Sequence, residues 1–485
     1  MHESRLGKTL QWLGLSLILA VLFFYKLGYP ARMIFDEVYH IASAQKYIHG
    51  VFFQENHPPL GKMLIALGEV VFDDDQNDNY YVGVDKISGE GVEVGFWGYR
   101  FFPALFGFGS ILLFVLLMKK LLEDQVVAYL LGLIGGLDTA FLIQSRSASL
   151  DSFLVFFILL NLLLFFRLLR ITKKRDLSRW HALTFGLAMV SAVLVKATGL
   201  IVLLLWPILT YHLWQKFGRS RVLKFLVVAG GVAVVVYSAV WSMHYSLGKK
   251  LAYGDGYYGA SDKAREWIVK REGLGFVEAR VVEIEEAIRY SDEYNQNVPA
   301  LDMKKVDEVG SPWFMWPLGG RTINYRWETP DSENYRFIYL VGNPVVWSLS
   351  LLGVVLGTSW VVGGVWCWYR PKKKVDGFVL TLVMMYWAYM FPFMFLIKRV
   401  MYLYHYLPAL FLGLLILGLV VDRTKYFFGR RVTSVRKRGF VWGLLIVTVA
   451  AFWIYKPFVY YLPLNRGAFY SRAISPTWMM DFPGD

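Results

Sequence analysis

Long runs of apolar residues separated by short polar connections dominate the chain. They fall near 9–27, 98–118, 124–144, 148–167, 180–196, 198–215, 222–243, 345–368, 376–396, 402–421 and 439–461. Most approach or exceed the roughly 18 residues that mark a helix able to cross a bilayer. A transmembrane β-barrel would show short alternating segments instead. The pattern predicts an all-α polytopic membrane protein with about eleven transmembrane helices. Two polar stretches interrupt the series, 28–97 and 244–344. In the first, Ile41, Ala44 and Ile48, then Leu60, Met63, Leu64 and Leu67, recur at helical spacing and predict two surface-lying helices. In the second, Val277, Val281, Ile284 and Ile288 predict an amphipathic helix, and Trp313, Trp316 and Trp327 a return to the interface.

The chain thus divides into an N-terminal transmembrane module, 1–243, a large polar loop, 244–344, and a C-terminal group of spans with a short tail, 345–485. No internal repeat is visible, which argues against a transporter built from inverted halves.

Composition sharpens this picture. The 485 residues are 56% hydrophobic and 17% aromatic, with a mean hydropathy of +0.42. The net charge of +14 would suit a nucleic-acid partner, but the basic residues cluster in short connections. Arg167, Arg170, Lys173, Lys174, Arg175 and Arg179 fill one, and Lys216, Arg219, Arg221 and Lys224 the next. Arg370, Lys372, Lys373 and Lys374 fill a third, and Arg423 through Arg438 a fourth. With eleven spans all lie on the side of Arg5 and Lys8, which makes that side cytoplasmic and the C-terminus external. No nucleic acid is expected; the basic loops face anionic lipid. The first apolar run lacks an Ala-x-Ala site and is expected to remain as an uncleaved anchor. Cys367, the single cysteine, excludes an intrachain disulfide.

Candidate chemistry gathers on the other side. Phe35-Asp36-Glu37-Val38-Tyr39-His40 and His57-Pro58-Pro59-Leu60-Gly61-Lys62 sit just beyond the first apolar run. Arg146, Lys196, Lys398 and Arg399 occupy outer connections, and His405 lies one turn into the tenth span. Intramembrane charges are costly and mark function by default. Basic residues where the positive-inside rule disfavours them call for an anion, and a phosphate suits arginine and lysine. The structural alternative pairs Arg146 with Asp138 or Asp151 and lets Lys196 snorkel to headgroups. Neighbouring carboxylates diverge along the backbone, so Asp36 and Glu37 do not flank a sugar as a glycosidase pair does. One general base, with its neighbour orienting it, fits better. His40 falls one turn after Asp36, where it either bonds that carboxylate or caps the interface. A metal held by Asp36, His40 and His57 is not expected.

These blocks resemble the protein O-mannosyltransferase family, the polyprenyl (dolichyl) phosphate mannose-dependent enzymes of the GT-C class. Further matching blocks are Tyr99-Arg100-Phe101-Phe102-Pro103-Ala104, Gln144-Ser145-Arg146 to Ser152, and Val195-Lys196 to Leu200. Trp316-Pro317, Gly342-Asn343-Pro344, Pro392 to Arg399 and Tyr404-His405-Tyr406-Leu407-Pro408-Ala409 complete the series. The resemblance implies a GT-C fold and inverting transfer of mannose from a polyprenyl monophosphate to serine or threonine of a translocated polypeptide. It implies no cofactor and no metal. Asp36 is then the expected base and Glu37 its partner, with Arg146, Arg399, His405, His57, Lys62, Arg100 and Lys196 expected around the donor. It also implies the inner membrane of a prokaryote, an outward-facing site and a neighbouring translocation machinery. The roughly 100 residues of 244–344 are too few for the β-trefoil domain that eukaryotic members carry there; a charged helical insertion takes its place. A transfer of another sugar, a lipid or glycan acceptor, and a flippase for a lipid-linked sugar remain as alternatives.

Overall fold

The computed structural model describes residues 5–72, 95–173, 177–248, 261–262, 275–305, 308–331, 333–366 and 376–482. Cys367, Lys174, Arg175, Arg370, Lys372, Lys373 and Lys374 lie outside the described residues.

Helices occur at all eleven predicted positions. They are α1 (Arg5–Phe24), α4 (Trp97–Leu121), α5 (Gln125–Gly136) with α6 (Thr139–Ser145), α7 (Asp151–Leu169), α8 (Arg179–Val195), α9 (Leu205–Phe217) and α10 (Arg219–Leu247). After the polar loop come α12 (Pro344–Trp366), α13 (Gly377–Phe395), α14 (Leu407–Arg423) and α15 (Ser434–Tyr460). Eight of these segments are long and apolar enough to cross a membrane, counting the 3-10 turns Ala197–Leu204 and Leu403–Tyr406 with α9 and α14. The predicted third span is a pair, α5 and α6, bent by 62°. The bend has a local cause: Asp138 caps α6 by accepting from the Phe141 N–H (2.8 Å). Its other oxygen accepts from Trp347 Nε1 (2.8 Å) and the Asn343 N–H (3.1 Å). The bend is thereby tied to the start of α12.

α14 is the most deeply buried span and packs against α12 through glycine. A Cβ on Gly353 would run into the Gly413 carbonyl, so the two backbones meet only because neither residue has a side chain.

In the first polar loop stand α2 (Glu37–His49) and α3 (Leu60–Phe72), as expected. Ile41 and Ala44 are buried, but Leu67 points outward. The inner face of α3 is Gly61, Lys62, Ile65, Ala66 and Glu69. The second polar loop carries α11 (Phe276–Asn297), and here the predicted stripe is inverted. Val277, Val281, Ile284 and Ile288 are all exposed. Ala279, Val282, Glu283, Glu286 and Ala287 face inward instead, against Phe52, Trp241 and Tyr245. The same loop forms β1 (Ile323–Glu328) and β2 (Tyr335–Leu340), antiparallel and bulged between Asn324 and Arg326. After the two-residue hairpin β3 (Tyr426–Phe427) and β4 (Arg430–Arg431), β5 (Pro463–Leu464) joins β2 beyond α15. This small sheet is absent from the all-helical expectation.

Candidate active site

The loop from α1 to α2, the α6–α7 turn, the end of α8, the C-terminal half of α11 and residues 396–405 meet at one end of the bundle. Two adjoining cavities lie there, of about 210 and about 610 Å³. They share Asn56, His57, Lys196, Val298, Arg399 and His405. The smaller holds Asp36 and is lined for the most part by tyrosines, histidines and charged groups. The larger adds Ala197, Leu396, Ile397 and Met401, and so has an apolar wall.

Asp36 occupies the N-cap position of α2, where an aspartate ordinarily caps the first turn. Its side chain makes no capping hydrogen bond. It faces the smaller cavity and accepts from the Tyr404 hydroxyl at 3.0 Å. Burial pushes its pKa up to about 6, against the lowering pull of Tyr404 and Lys196. Phe35, immediately before it, has φ +44°, a conformation unusual for a bulky residue, and stacks on Tyr325 at 4.5 Å.

Glu37 points the other way. It is 1% exposed and clasps Arg100 through Nε to Oε1 and Nη2 to Oε2, both at 2.8 Å. It also accepts from the backbone of Ile34 and Ala148. Arg100 spends its remaining donors on the carbonyls of Leu27, Pro30 and Arg32. All five guanidinium N–H groups are thus used inside the protein. Neither residue lines the two cavities. The expected roles of Glu37 beside the base and of Arg100 at the donor do not match this placement; the pair builds the loop that holds Asp36.

Arg146 is likewise turned away from the two cavities. It donates to the carbonyls of Leu22, Phe23 and Lys26 at the end of α1 and lies 4.7 Å over the Tyr460 ring. Those are the orphan carbonyls of a helix C-terminus, which a cation satisfies well. Its partner is therefore neither Asp138 nor Asp151. Asp138 forms no ion pair among the described residues. Asp151 pairs with Lys196 at 2.7 Å, so that lysine is not merely snorkelling.

The other expected residues do come together. Lys196 lies 5.2 Å over the Tyr404 ring. Lys62 pairs with Glu55 at 2.6 Å and donates to Ser43 Oγ at 3.1 Å. Glu55 also accepts from the His57 N–H at 3.2 Å, so one carboxylate sets both ends of the His57 to Lys62 block. Gly50, at φ +68°, ends α2 and turns the chain into this segment. His57 is held neutral by burial and by Lys196 and Lys62, its pKa well below the ordinary histidine range. His40 is neutral for the same reasons, and its Nδ1–H donates to the Ala148 carbonyl at 2.7 Å rather than to Asp36. His405 sits between Tyr404 (4.6 Å) and Trp316 (6.1 Å). Arg399 is positioned by backbone pairing: Ala300 bridges Arg399, and the Val400 N–H donates to the Pro299 carbonyl at 2.8 Å.

Lys62 is held by Glu55 and Lys196 by Asp151, whereas Asp36 and Arg399 line the smaller cavity and make no ion pair among the described residues. A charge removed from water and left unpaired is costly, and substrate is the remaining partner for each.

Glu55, Tyr404, Tyr290, Tyr294 and the relay Tyr325–Gln144–Asp151–Lys196 (2.8, 2.7 and 2.7 Å) escaped the sequence reading. Glu55 stands two residues before His57, and that proximity was the available signal. Tyr404 and Gln144 stand in the matching blocks and Asp151 and Lys196 among the charges singled out there, while nothing local marks Tyr290, Tyr294, Tyr325 or the contacts that form the relay. Among the described residues there is no group of three or more His, Cys, Asp or Glu side chains placed to hold a metal ion.

Two family models match the chain: "Dolichyl-phosphate-mannose-protein mannosyltransferase" over residues 14–247, and "C-terminal four TMM region of protein-O-mannosyltransferase" over residues 286–478. The chain belongs to the protein O-mannosyltransferase family. Among similar proteins, Protein O-mannosyltransferase 1 of Drosophila pseudoobscura pseudoobscura is 32% identical over 46% of this chain and 25% of its own length. The human Protein O-mannosyl-transferase 1 is 30% identical over 40% of the chain and 26% of its own length. The chain thus spans about a quarter of the length of these family relatives. A solved structure of the S. cerevisiae protein O-mannosyltransferase Pmt1-Pmt2 complex bound to the sugar donor superposes with a TM-score of 0.77 at 16% identity. That match covers 100% of this chain and 93% of the yeast chain, and it establishes the GT-C fold.

Proposed function

We propose that the protein transfers mannose from a polyprenyl monophosphate to a serine or threonine hydroxyl of a polypeptide. The observation that carries this is the pair of unmatched charges: an ionisable Asp36 and the cation Arg399 face one cavity. With a pKa of about 6, Asp36 is about nine-tenths ionised at pH 7, a strong enough base and still in its working form. It takes the acceptor proton as the hydroxyl oxygen attacks the anomeric carbon. The bond from that carbon to the phosphate oxygen breaks on the opposite face, so configuration inverts. Arg399, Lys196 and the ring N–H groups of His57 and His405 receive the phosphate as its charge grows. The apolar wall of the larger cavity suits the polyprenyl chain.

The reaction is metal-independent on this reading, since guanidinium and ammonium groups stand where a cation would be needed. The membrane is the inner membrane of a prokaryote, and the site faces outward. The outward orientation is supported by Arg167, Arg170, Arg179, Lys216, Arg219 and Arg221, which sit at the helix ends opposite the site, as positive-inside topology requires. A site on that face would receive polypeptide from the translocation machinery.

The test is full-length protein in nanodiscs with polyprenyl phosphate mannose and a Ser/Thr-rich peptide. Mannosyl-peptide of inverted anomeric configuration is expected. Transfer only to lipid or glycan would refute the polypeptide acceptor, and transport without transfer would refute the enzyme.

A further inference from the structure

Helix α11 does more than close the polar loop. Its inward stripe begins at Ala279 and Val282–Glu283, where it packs on Phe52, Trp241 and Tyr245. The Tyr245 hydroxyl donates to the Glu283 carbonyl at 2.9 Å, and Gln54 Nε2 donates to Glu286 at 3.3 Å. At 3.6 residues per turn the same face continues to Tyr290 and Tyr294. Both rings line the Asp36 cavity, with centroids 6.4 Å apart. One residue further round the helix, Ser291 and Asn295 line the larger cavity instead. The helix therefore forms a wall common to both cavities and presents a different face to each. Tyr39 of α2, one turn beyond Asp36, lines the smaller cavity from the loop side.

The charged groups assign the two cavities. The phosphate cations Lys196 and Arg399 border both, whereas Asp36 borders only the smaller. On the function proposed above, the apolar strip of Leu396, Ile397 and Met401 assigns the larger one to the donor lipid. The acceptor hydroxyl must approach Asp36 from the side opposite the phosphate, through the smaller one.

We infer that Tyr290 and Tyr294 of α11 are specificity-determining residues that form the acceptor wall, gripping an extended polypeptide segment on either side of its hydroxyl residue. This rests on the function proposed above and adds which part of the chain chooses the acceptor. Flat rings with hydroxyl tips suit an extended peptide: the rings cover its side chains and backbone, and the tips hydrogen-bond its amides. Tyr290 and Tyr294 line the smaller cavity and not the apolar wall of the larger one, so their removal acts first on acceptor binding.

The experiment compares Tyr290→Ala, Tyr294→Ala, the double variant and the two Phe substitutions in the full-length protein. Steady-state transfer is measured with peptide and donor varied separately. The KM for peptide should rise roughly two- to tenfold per ring removed, with the KM for donor and the thermal unfolding midpoint unchanged. The Phe variants should keep most of the peptide affinity. A panel of peptides differing beside the hydroxyl residue should change rank order in the double variant. An unchanged peptide KM, or a rise in donor KM instead, overturns the acceptor wall while wild-type transfer upholds the function. Wild-type protein that mannosylates no peptide overturns both and is recognised before any variant is made.

Discussion

Arg100 and Arg399 both resemble donor-phosphate ligands in the sequence, yet the structure gives them opposite energetics. Arg100→Met removes five hydrogen bonds and strands the Glu37 carboxylate, 1% exposed, with only two backbone N–H partners. Breaking one side of a buried pair costs about 3–5 kcal/mol, against a total folding margin of roughly 5–15 kcal/mol. The unfolded population should therefore rise by roughly 10²- to 5 × 10³-fold. Arg399 is half-buried with no ion pair among the described residues, and Arg399→Met should shift stability by under about 1 kcal/mol. Losing a donor aimed at developing charge should instead lower transfer about 10²- to 10³-fold. The assay is thermal unfolding in detergent beside turnover at saturating donor. Arg100→Met should lose its midpoint, and Arg399→Met should keep its midpoint and lose kcat. The double variant Arg100→Met/Glu37→Leu should be less destabilised than the sum of its single changes, because no lone charge remains. An Arg100→Met protein that melts like wild type and shows a raised donor KM would refute the assignment of that pair as a strut.

Asp36→Asn should lower kcat about 10²- to 10⁴-fold while donor binding persists; loss of donor binding would count against a base. Because burial raises the Asp36 pKa to about 6, the base is protonated below that value and ionised above it. kcat/KM should fall with unit slope on acidification below about pH 6, and a wild-type limb near pH 4 would contradict the burial argument. Glu55→Gln should free Lys62 and loosen His57, raising donor KM several-fold at unchanged pH dependence, as steady-state kinetics would show. Dialysis against EDTA should leave turnover unchanged; a loss restored by a divalent cation would overturn the metal-free mechanism.

What could be read in the sequence was set by local physics. A run of apolar residues forms a helix in a bilayer whatever its neighbours are, because unsatisfied backbone groups have no other partner there. Every predicted span is accordingly helical. Asp36, His57, Lys62, Lys196, Arg399 and His405 were legible as a site because charges beside or within apolar runs need a special reason. Which charges are spent on the protein itself was not legible. Glu37 and Arg100 stand 63 residues apart and Arg146 reaches Phe23 across 123, and only packing brings such partners within hydrogen-bond distance. The inverted face of α11 shows the same limit. Periodicity reveals that a helix has two faces, but the more apolar one is turned outward here, and small residues at 279 and 287 fit against Phe52 and Trp241. The sequence by itself thus determined the spans and the side on which charge collects, and marked Asp36 as the candidate base. Tertiary structure alone decided which cation stays free and which helix face borders the base, since both depend on distances between residues far apart in the chain.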